Sequence, residues 1–354
     1  MNGNETIDLS RFGLGPRLDT RAMPDNPWLA CLEWDAVQVL AAVSKTESIA
    51  FAFTESMYLQ AGASTASRQI LVSGSLGDML CRLCAAIVGA GVFIKLGNPS
   101  VEWTPETGAA SVRSTLDSEP FRWSPAFIPW HGDEERVQLF LFLLVQAHRF
   151  VLLHEAGHIL HRHGPSAEPR GHGAIIDGRE SSEADEAAAA SSMARELVAD
   201  AEAFHLHFQL LDHQFAQAAG EPMGALLAEK LVGTPRERLR MTLLSAFLIF
   251  QILDYRTWSI ETARLRTHPP APFRVKAIYA TAVDLKHPGI TQQELIEEIG
   301  YARLLGSVVV DVGLNRLPQL SWLNQVDGTE FDELFLRIYA EMHKWADPAL
   351  LKSG

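Results

Sequence analysis

The sequence predicts an α+β fold that is mostly helical and contains a small sheet. Two long stretches with helix-type ends, residues 133–164 and 183–213, account for the helical prediction. Two short runs of branched aliphatic residues between turn formers, "RQILVSG" (68–74) and "VFIKLG" (92–97), predict strands. With 354 residues, of which 47% are hydrophobic and 21% charged, the chain is long and apolar enough to bury a substantial core.

The rest of the first third is predicted to mix helix with irregular chain. Residues 1–30 are rich in Gly, Pro and Asn and predict an irregular arm, whereas residues 33–67 and 75–89 predict helix. Residues 98–132 contain five prolines and little periodicity, so we expect loops there, with one further strand near "SVRSTL" (111–116).

The central helix is predicted from the residues at its two ends. It begins near Asp133, where three acidic residues suit the positive end of the helix dipole, and it closes on Gly164, which a proline follows. Its continuous apolar run indicates a buried helix. Ser182 is expected to cap the second long helix, and the remainder of the chain is predicted to be helical, with breaks at residues 266–274 and 285–290.

Charge and cysteine content exclude several classes of protein. A net charge of −13 leaves no basic surface for nucleic acid, so no nucleic-acid partner is expected. Cys31, Cys81 and Cys84 provide no disulfide framework, and the C-x-x-C pair is interpreted as two small buried helix residues. No signal-peptide core is visible at the start, and the apolar runs fall short of the ~20 residues of a membrane span. We therefore expect a soluble cytoplasmic protein with no membrane span.

The segment "VLLHEAGHILHRHG" (151–164) places the pattern H-E-x-x-H inside the central helix. Residues four apart stand on the same helix face, so His154 and His158 can offer two imidazole nitrogens to one ion. Glu155 is rotated by about 100° from His154, so it can lie beside the ion and hold its water. This geometry makes the pattern typical of zinc hydrolases, and Zn²⁺ is the expected cofactor.

A third ligand is expected on the second long helix, because a catalytic zinc takes three protein ligands and keeps one open position. In "RELVADAEAFH", Glu196 and Asp200 are four residues apart and have apolar neighbours. Glu196 is the predicted third ligand, and the Asp200 carboxylate is expected to accept the free N–H of His154. The competing acidic residues, interpreted as compensation of the helix dipole, are Glu180, Glu183, Asp185 and Glu186.

The other histidines near these motifs are interpreted as structural. His161 is expected to be exposed at the helix end, with an approach to the site as the alternative. His163 sits at the helix C-terminus, where a cation suits the dipole. His205 and His207 are expected to take part in packing, and the alternative for His205 is a contact behind the ligands.

These motifs resemble the signature of a known group of peptidases. H-E-x-x-H followed on a later helix by E-x-x-x-D is the pattern of gluzincin metallopeptidases. "HEAGHILH…ELVADAEAF" is similar to the H-E-x-G-H…E-x-x-A-D signature of HtpX/CAAX-prenyl-protease-like and ImmA/IrrE-like peptidases. "THPPAPFRV" (267–275) is similar to the T-H-P-P-x-x-x-R segment of the HtpX-like branch. The resemblance covers residues 150–275.

The resemblance implies a zincin-like catalytic core with an active-site helix and a small sheet. It also implies that His268 and Arg274 face the cleft and stabilise an oxyanion. Residues 1–130 would then be an α+β region that contributes strands to the catalytic domain, residues 131–280 its helices, and residues 281–354 a C-terminal helical region. HtpX-like relatives are embedded in membranes, so the lack of spans favours a soluble relative, such as the Lit-type phage-exclusion proteases.

The predicted function is zinc-dependent hydrolysis of peptide bonds in a protein or peptide substrate, with Glu155 as general base. Two alternatives stay open: a catalytically inactive zincin-fold binding or sensor protein, and a helical structural protein without metal. The connection at residues 164–181 suits a lid over the cleft as well as an inert loop. Substrate specificity and oligomeric state cannot be predicted from these motifs.

Overall fold

The structure is a computed structural model that describes residues 16–22, 27–44, 47–56, 59–93, 132–163, 186–217, 228–253, 259–313 and 328–347. Three sequence-based predictions lie wholly or largely outside these residues. They are the irregular arm at the start of the chain, the loops with one strand within residues 98–132, and the connection at residues 164–181 with the Ser182 cap that follows it.

The described residues form an α+β fold that is mostly helical, which confirms the predicted fold class at this level. Its sheet has three strands, β1 (Ala50–Thr54), β2 (Ala61–Ser64) and β3 (Gln69–Ser73). β3 lies in the middle, parallel to β1 and antiparallel to β2, and every one of its residues is buried. The strand predicted at residues 68–74 is therefore confirmed.

The helices pack around this sheet and around one another. They are α1 (Pro27–Val43), α2 (Gly74–Gly89), α3 (Glu134–Leu160), α4 (Glu186–Gln217), α5 (Pro235–Leu253), α6 (Ile260–Arg264), α7 (Ala271–Val283), α8 (Gln292–Gly313) and α9 (Asp332–Met342). α3 begins where the sequence predicted: the Asp133 side chain accepts a hydrogen bond from the Arg136 backbone N–H (3.2 Å), and two glutamates occupy the first turn. These groups satisfy and complement the exposed N–H groups of the helix start.

The helix predicted over residues 33–67 is wrong beyond Val43, because β1 and β2 occupy the second half of that range. Four of the five residues of β1 are buried, so the alternation of apolar and polar residues that marks a half-exposed strand is missing. A short apolar run of this kind cannot be distinguished from a buried helix by periodicity. The strand predicted at residues 92–97 is absent at 92 and 93, and the remainder lies outside the described residues.

α3 is the central helix and packs against α1, α2, α4, α5 and the sheet. By length and composition it is long and apolar enough to cross a membrane, with a mean hydropathy of 1.5 over its most apolar window. However, 72% of that window is buried inside the protein, as in the core helix of a soluble protein. Among the described residues no other helix meets the same criteria.

Two buried apolar clusters hold the fold together. The larger contains residues of α1, the sheet, α2, α3, α5 and α8. It therefore includes residues from each of the three predicted regions, 1–130, 131–280 and 281–354. The smaller joins the first half of α4 to α7 and α9, where the Phe273 ring packs edge-on against Phe331 and Phe335. α4 thus lies between α3 and the C-terminal helix.

Candidate metal centre

Close packing of α3 against α4 brings the two sequence motifs together. A Cβ added to Gly157, within H-E-x-x-H, would lie 3.1 Å from the Ala199 Cα and 3.2 Å from the Ala199 carbonyl oxygen. Because these are backbone atoms that a flexible side chain cannot relieve, glycine is what lets the two helices approach this closely. The sequence interpretation did not single out Gly157, although a glycine inside a helix often marks close packing.

The three predicted ligands meet at this contact. The Nε2 atoms of His154 and His158 are 3.3 Å apart, and the Glu196 carboxylate oxygens lie 3.3 Å from His154 Nε2 and 3.5 Å from His158 Nε2. All three residues are buried, and their donor atoms lie within 4.8 Å of one another. Ligand atoms bound tetrahedrally at about 2.0–2.1 Å from zinc are about 3.3–3.4 Å apart, so both the spacing and the His₂Glu donor set fit this ion.

Behind His154 lies a buried ion pair. Asp200 Oδ1 accepts a hydrogen bond from His154 Nδ1 (2.8 Å), and Arg274 donates to the same carboxylate through Nε (2.8 Å) and Nη2 (2.6 Å). Burial lowers the pKa of His154, but the charge and hydrogen bond of Asp200, together with the Glu196 carboxylate as an acceptor, raise it to about 9. In the neutral form of the ring, the bond to Asp200 places the proton on Nδ1 and leaves the lone pair of Nε2 for an ion, so binding of an ion displaces the second proton.

The second imidazole, His158, is held from a different direction. Its Nδ1 is 2.9 Å from the Nδ1 of His163, and the Nε2 of His163 is 3.0 Å from the backbone carbonyl oxygen of Trp345. Burial lowers the pKa of His163 to about 4, although the bond to Trp345 raises it. The interpretation of His163 as a cation at the helix end is therefore wrong, because desolvation outweighs the attraction of the dipole. His161, expected to be exposed, is also buried and lies 3.4 Å from Glu202.

Glu155 is fully buried, and neither of its carboxylate oxygens has a hydrogen-bond partner among the described residues. Burial raises its pKa, and the charge of His154 opposes this shift, with a net value of about 8. A buried polar group without a partner is rare in folded proteins and calls for an explanation other than packing. Such a carboxylate next to a cluster of ligand atoms indicates a functional role.

The two residues implied by the resemblance at the oxyanion lie on different sides of His154. His268 Nε2 is 4.0 Å from Glu196 Oε1, and the His268 side chain is 22% exposed, so it borders the ligand cluster near solvent. Arg274 is buried on the Nδ1 side, with its Nη2 3.5 Å from His154 Nδ1 and its guanidinium over the Phe250 ring. His268 therefore lies beside the ligand atoms, whereas Arg274 lies beside the Nδ1 atom of His154, which is not a predicted ligand atom.

The structure describes Glu186, Cys81 and Cys84 among the other candidates from the sequence, and none of them is part of the ligand cluster. Glu186 is paired at the surface with Arg337 (3.2 Å), and the competing acidic residues before it lie outside the described residues. Cys81 and Cys84 are free and buried, in agreement with the interpretation of the C-x-x-C pair. Comparisons of the chain with protein-family models, with curated proteins and with solved structures found no match.

Proposed function

We propose that this protein is a zinc-dependent peptidase of the gluzincin type, with a zincin-like catalytic core built on α3 and α4. One observation carries the proposal: His154, His158 and Glu196 meet at the spacing of tetrahedral zinc ligands, and they are accompanied by a buried Glu155 that has no hydrogen-bond partner among the described residues. The similarity of the motifs to those of gluzincins supports the same reaction class.

Each residue of the cluster then has a task. His154, His158 and Glu196 would hold the ion. Zinc, when bound, supplies a Lewis acid that polarises a scissile carbonyl and lowers the pKa of water. Asp200 keeps the proton of His154 on Nδ1. A carboxylate oxygen of Glu155 accepts a proton from the attacking water and passes it to the nitrogen of the leaving amine.

We assign the oxyanion contact to His268 rather than to Arg274. His268 is partly exposed at the border of the cluster, where a ring N–H can donate to an oxygen of a bound peptide. Arg274 donates twice to Asp200, so in this proposal it is a positioning residue that acts on His154 through that carboxylate.

An enzyme accounts for Glu155 better than a sensor or a structural protein does. Burying a carboxyl group that has no hydrogen-bond partner among the described residues costs about 1–3 kcal/mol, and more in its charged form. A scaffold that only binds a partner would be more stable with an apolar residue there. A protein or peptide substrate and a cytoplasmic setting complete the proposal, and the burial of α3 supports a soluble protein.

The test uses the full-length chain and three variants, Glu155→Gln, Glu196→Ala and Glu186→Ala. Glu186→Ala is the matched control, because Glu186 is a surface acid of α4, the helix that also carries Glu196. We expect one zinc per chain by elemental analysis in all except Glu196→Ala, which should contain none. Cleavage of a denatured-protein and peptide panel, followed by mass spectrometry, should fall by about 10²–10⁴-fold in Glu155→Gln.

Each alternative predicts a different outcome. Full cleavage by Glu155→Gln would contradict the general-base assignment. A wild-type protein that contains zinc and cleaves nothing in the panel would favour a sensor. A wild-type protein that neither retains nor binds zinc would favour a structural role.

A further inference from the structure

At the C-terminal end of α3, a tight turn directs residues 161–163 back toward the last turn of the helix. The His163 backbone N–H bonds to the His158 carbonyl (2.9 Å), and the Arg162 N–H bonds to the Ile159 carbonyl (3.2 Å). Arg162 has φ of 55°, in the left-handed region. This pair of bonds around a left-handed residue is a Schellman motif, and it directs the His163 side chain back to His158.

The hydrogen bonds of His163 fix the positions of two protons. The Trp345 carbonyl oxygen can only accept, so the Nε2 of His163 carries a proton and donates to it. A neutral His163 then has an unprotonated Nδ1, which accepts from the Nδ1–H of His158. The Nε2 of His158 is left with its lone pair on the side of His154 and Glu196.

The segment that supplies this carbonyl is anchored at several points. The Asp347 backbone N–H donates to His161 Nδ1 (2.9 Å), and the guanidinium of Arg195 lies 5.0 Å from the centre of the Trp345 ring. These contacts tie residues 343–347, which follow α9, to the end of α3 and to α4. The Trp345 carbonyl therefore has a fixed direction.

We propose that His163 is the positioning residue of His158, and that residues 343–347 belong to the metal centre through the carbonyl of Trp345. The inference rests on the proposed zinc site and adds a residue that orients the second imidazole ligand. His154 is oriented by the charged Asp200 carboxylate from α4. His158 is oriented instead by the neutral imidazole of His163, which residues 343–347 hold in place.

The test compares His163→Ala, His163→Gln and His213→Ala in the full-length chain. His213→Ala is the control, because it removes an exposed imidazole from α4. The zinc dissociation constant is measured by competition with a chromogenic chelator. The visible spectrum of the Co²⁺-substituted protein reports the coordination geometry, and thermal unfolding of the metal-free proteins checks the fold.

We expect His163→Ala to weaken zinc binding about 10–100-fold and to change the Co²⁺ spectrum. His163→Gln should recover most of the affinity, because its amide can accept from His158 and donate to Trp345. His213→Ala should bind zinc as the wild type does. Wild-type affinity and spectrum in His163→Ala, or no recovery in His163→Gln, would overturn this inference alone. A wild-type protein without zinc affinity would overturn the proposed function as well.

Discussion

The helices α3 and α4 carry buried histidines in two kinds of environment, and the pKa values of the rings differ between them. In the first, the pKa of His148 is lowered to about 4 and that of His207 to about 3. In the second, the pKa of His154 is raised to about 9. All three side chains are fully buried and lie on the same pair of helices.

The difference comes from the carboxylates. The His148 ring packs against two phenylalanine rings of β1, and the acid that acts on it, Asp35, is paired with Arg149 (2.6 Å). Among the described residues, His207 bonds only to the neutral amide of Gln146 (2.7 Å). His154 faces Asp200 and Glu196 instead. Burial by itself keeps a histidine neutral, so carboxylates in direct contact with the ring, rather than burial, identify the candidate site.

The largest effect is expected from Asp200→Asn. Removing this carboxylate charge should make the surroundings of His154 resemble those of His148 and His207. Asp200→Asn leaves the buried cation of Arg274 without its counter-charge. We expect the free energy of unfolding to fall by about 3–5 kcal/mol and zinc affinity to fall about 10–100-fold. Denaturant unfolding of the metal-free protein and zinc competition measure the two effects.

Asp35→Asn is the control for this comparison, because it breaks the ion pair with Arg149 in the first environment. It should lower stability and leave zinc affinity unchanged. An equal loss of zinc affinity in both variants would show that the effect is a general loss of structure.

A smaller effect is expected from Gly157→Ala, which tests how the second environment is assembled. The added methyl group would meet the backbone of Ala199 and push α4, with Glu196, away from α3. We expect a loss of about 1–3 kcal/mol, which exceeds the gain in helix propensity of about 0.5–1 kcal/mol. Zinc affinity should fall as well.

Gly300→Ala in α8 provides the matched control, because no atom lies within 4 Å of the added methyl group. This variant should be slightly more stable than the wild type by thermal unfolding. A stabilised Gly157→Ala with full zinc affinity would mean that the two helices do not depend on the glycine.

The smallest expected effect is a change in pH dependence at His148. Its pKa is about 4 in the folded state and near 6.5 when unfolded, so between these values the unfolded chain binds more protons. Stability should therefore fall as pH decreases from 6.5 to 4, by roughly 1 kcal/mol per pH unit for this group. His148→Leu should reduce that slope, measured by denaturant unfolding of the metal-free protein, and leave zinc affinity at neutral pH unchanged. An unchanged slope would contradict the neutral state of His148.

The sequence allowed prediction of those features that depend on local spacing. The start of α3 at Asp133 follows from capping and the helix dipole, and the four-residue spacings place His154 with His158 and Glu196 with Asp200 on common faces. β1 and β2 could not be predicted in this way, because buried strands lack the alternation on which such a prediction relies.

Features that depend on tertiary contacts lay beyond sequence reasoning. The close contact between Gly157 and the Ala199 backbone sets the distance between the two motifs. This distance cannot be derived from residue spacing or composition. The environment of His163 depends on Trp345, which is 182 residues further along the chain. Likewise, Arg274 points to Asp200 because of how α7 packs on α4, whereas the motif alone suggested a place in the cleft.

The apolar character of α3 also has a consequence for biosynthesis. α3 leaves the ribosome before α4, α5 and α8, and the last residue of α5 is synthesised about ninety residues after the end of α3. At 5–20 residues per second, this delay lasts roughly 5–20 s. During that interval α3 can pack against α1, α2 and the sheet, but its face toward α5 stays uncovered. Chaperone supply and translation rate should therefore govern the yield of soluble protein.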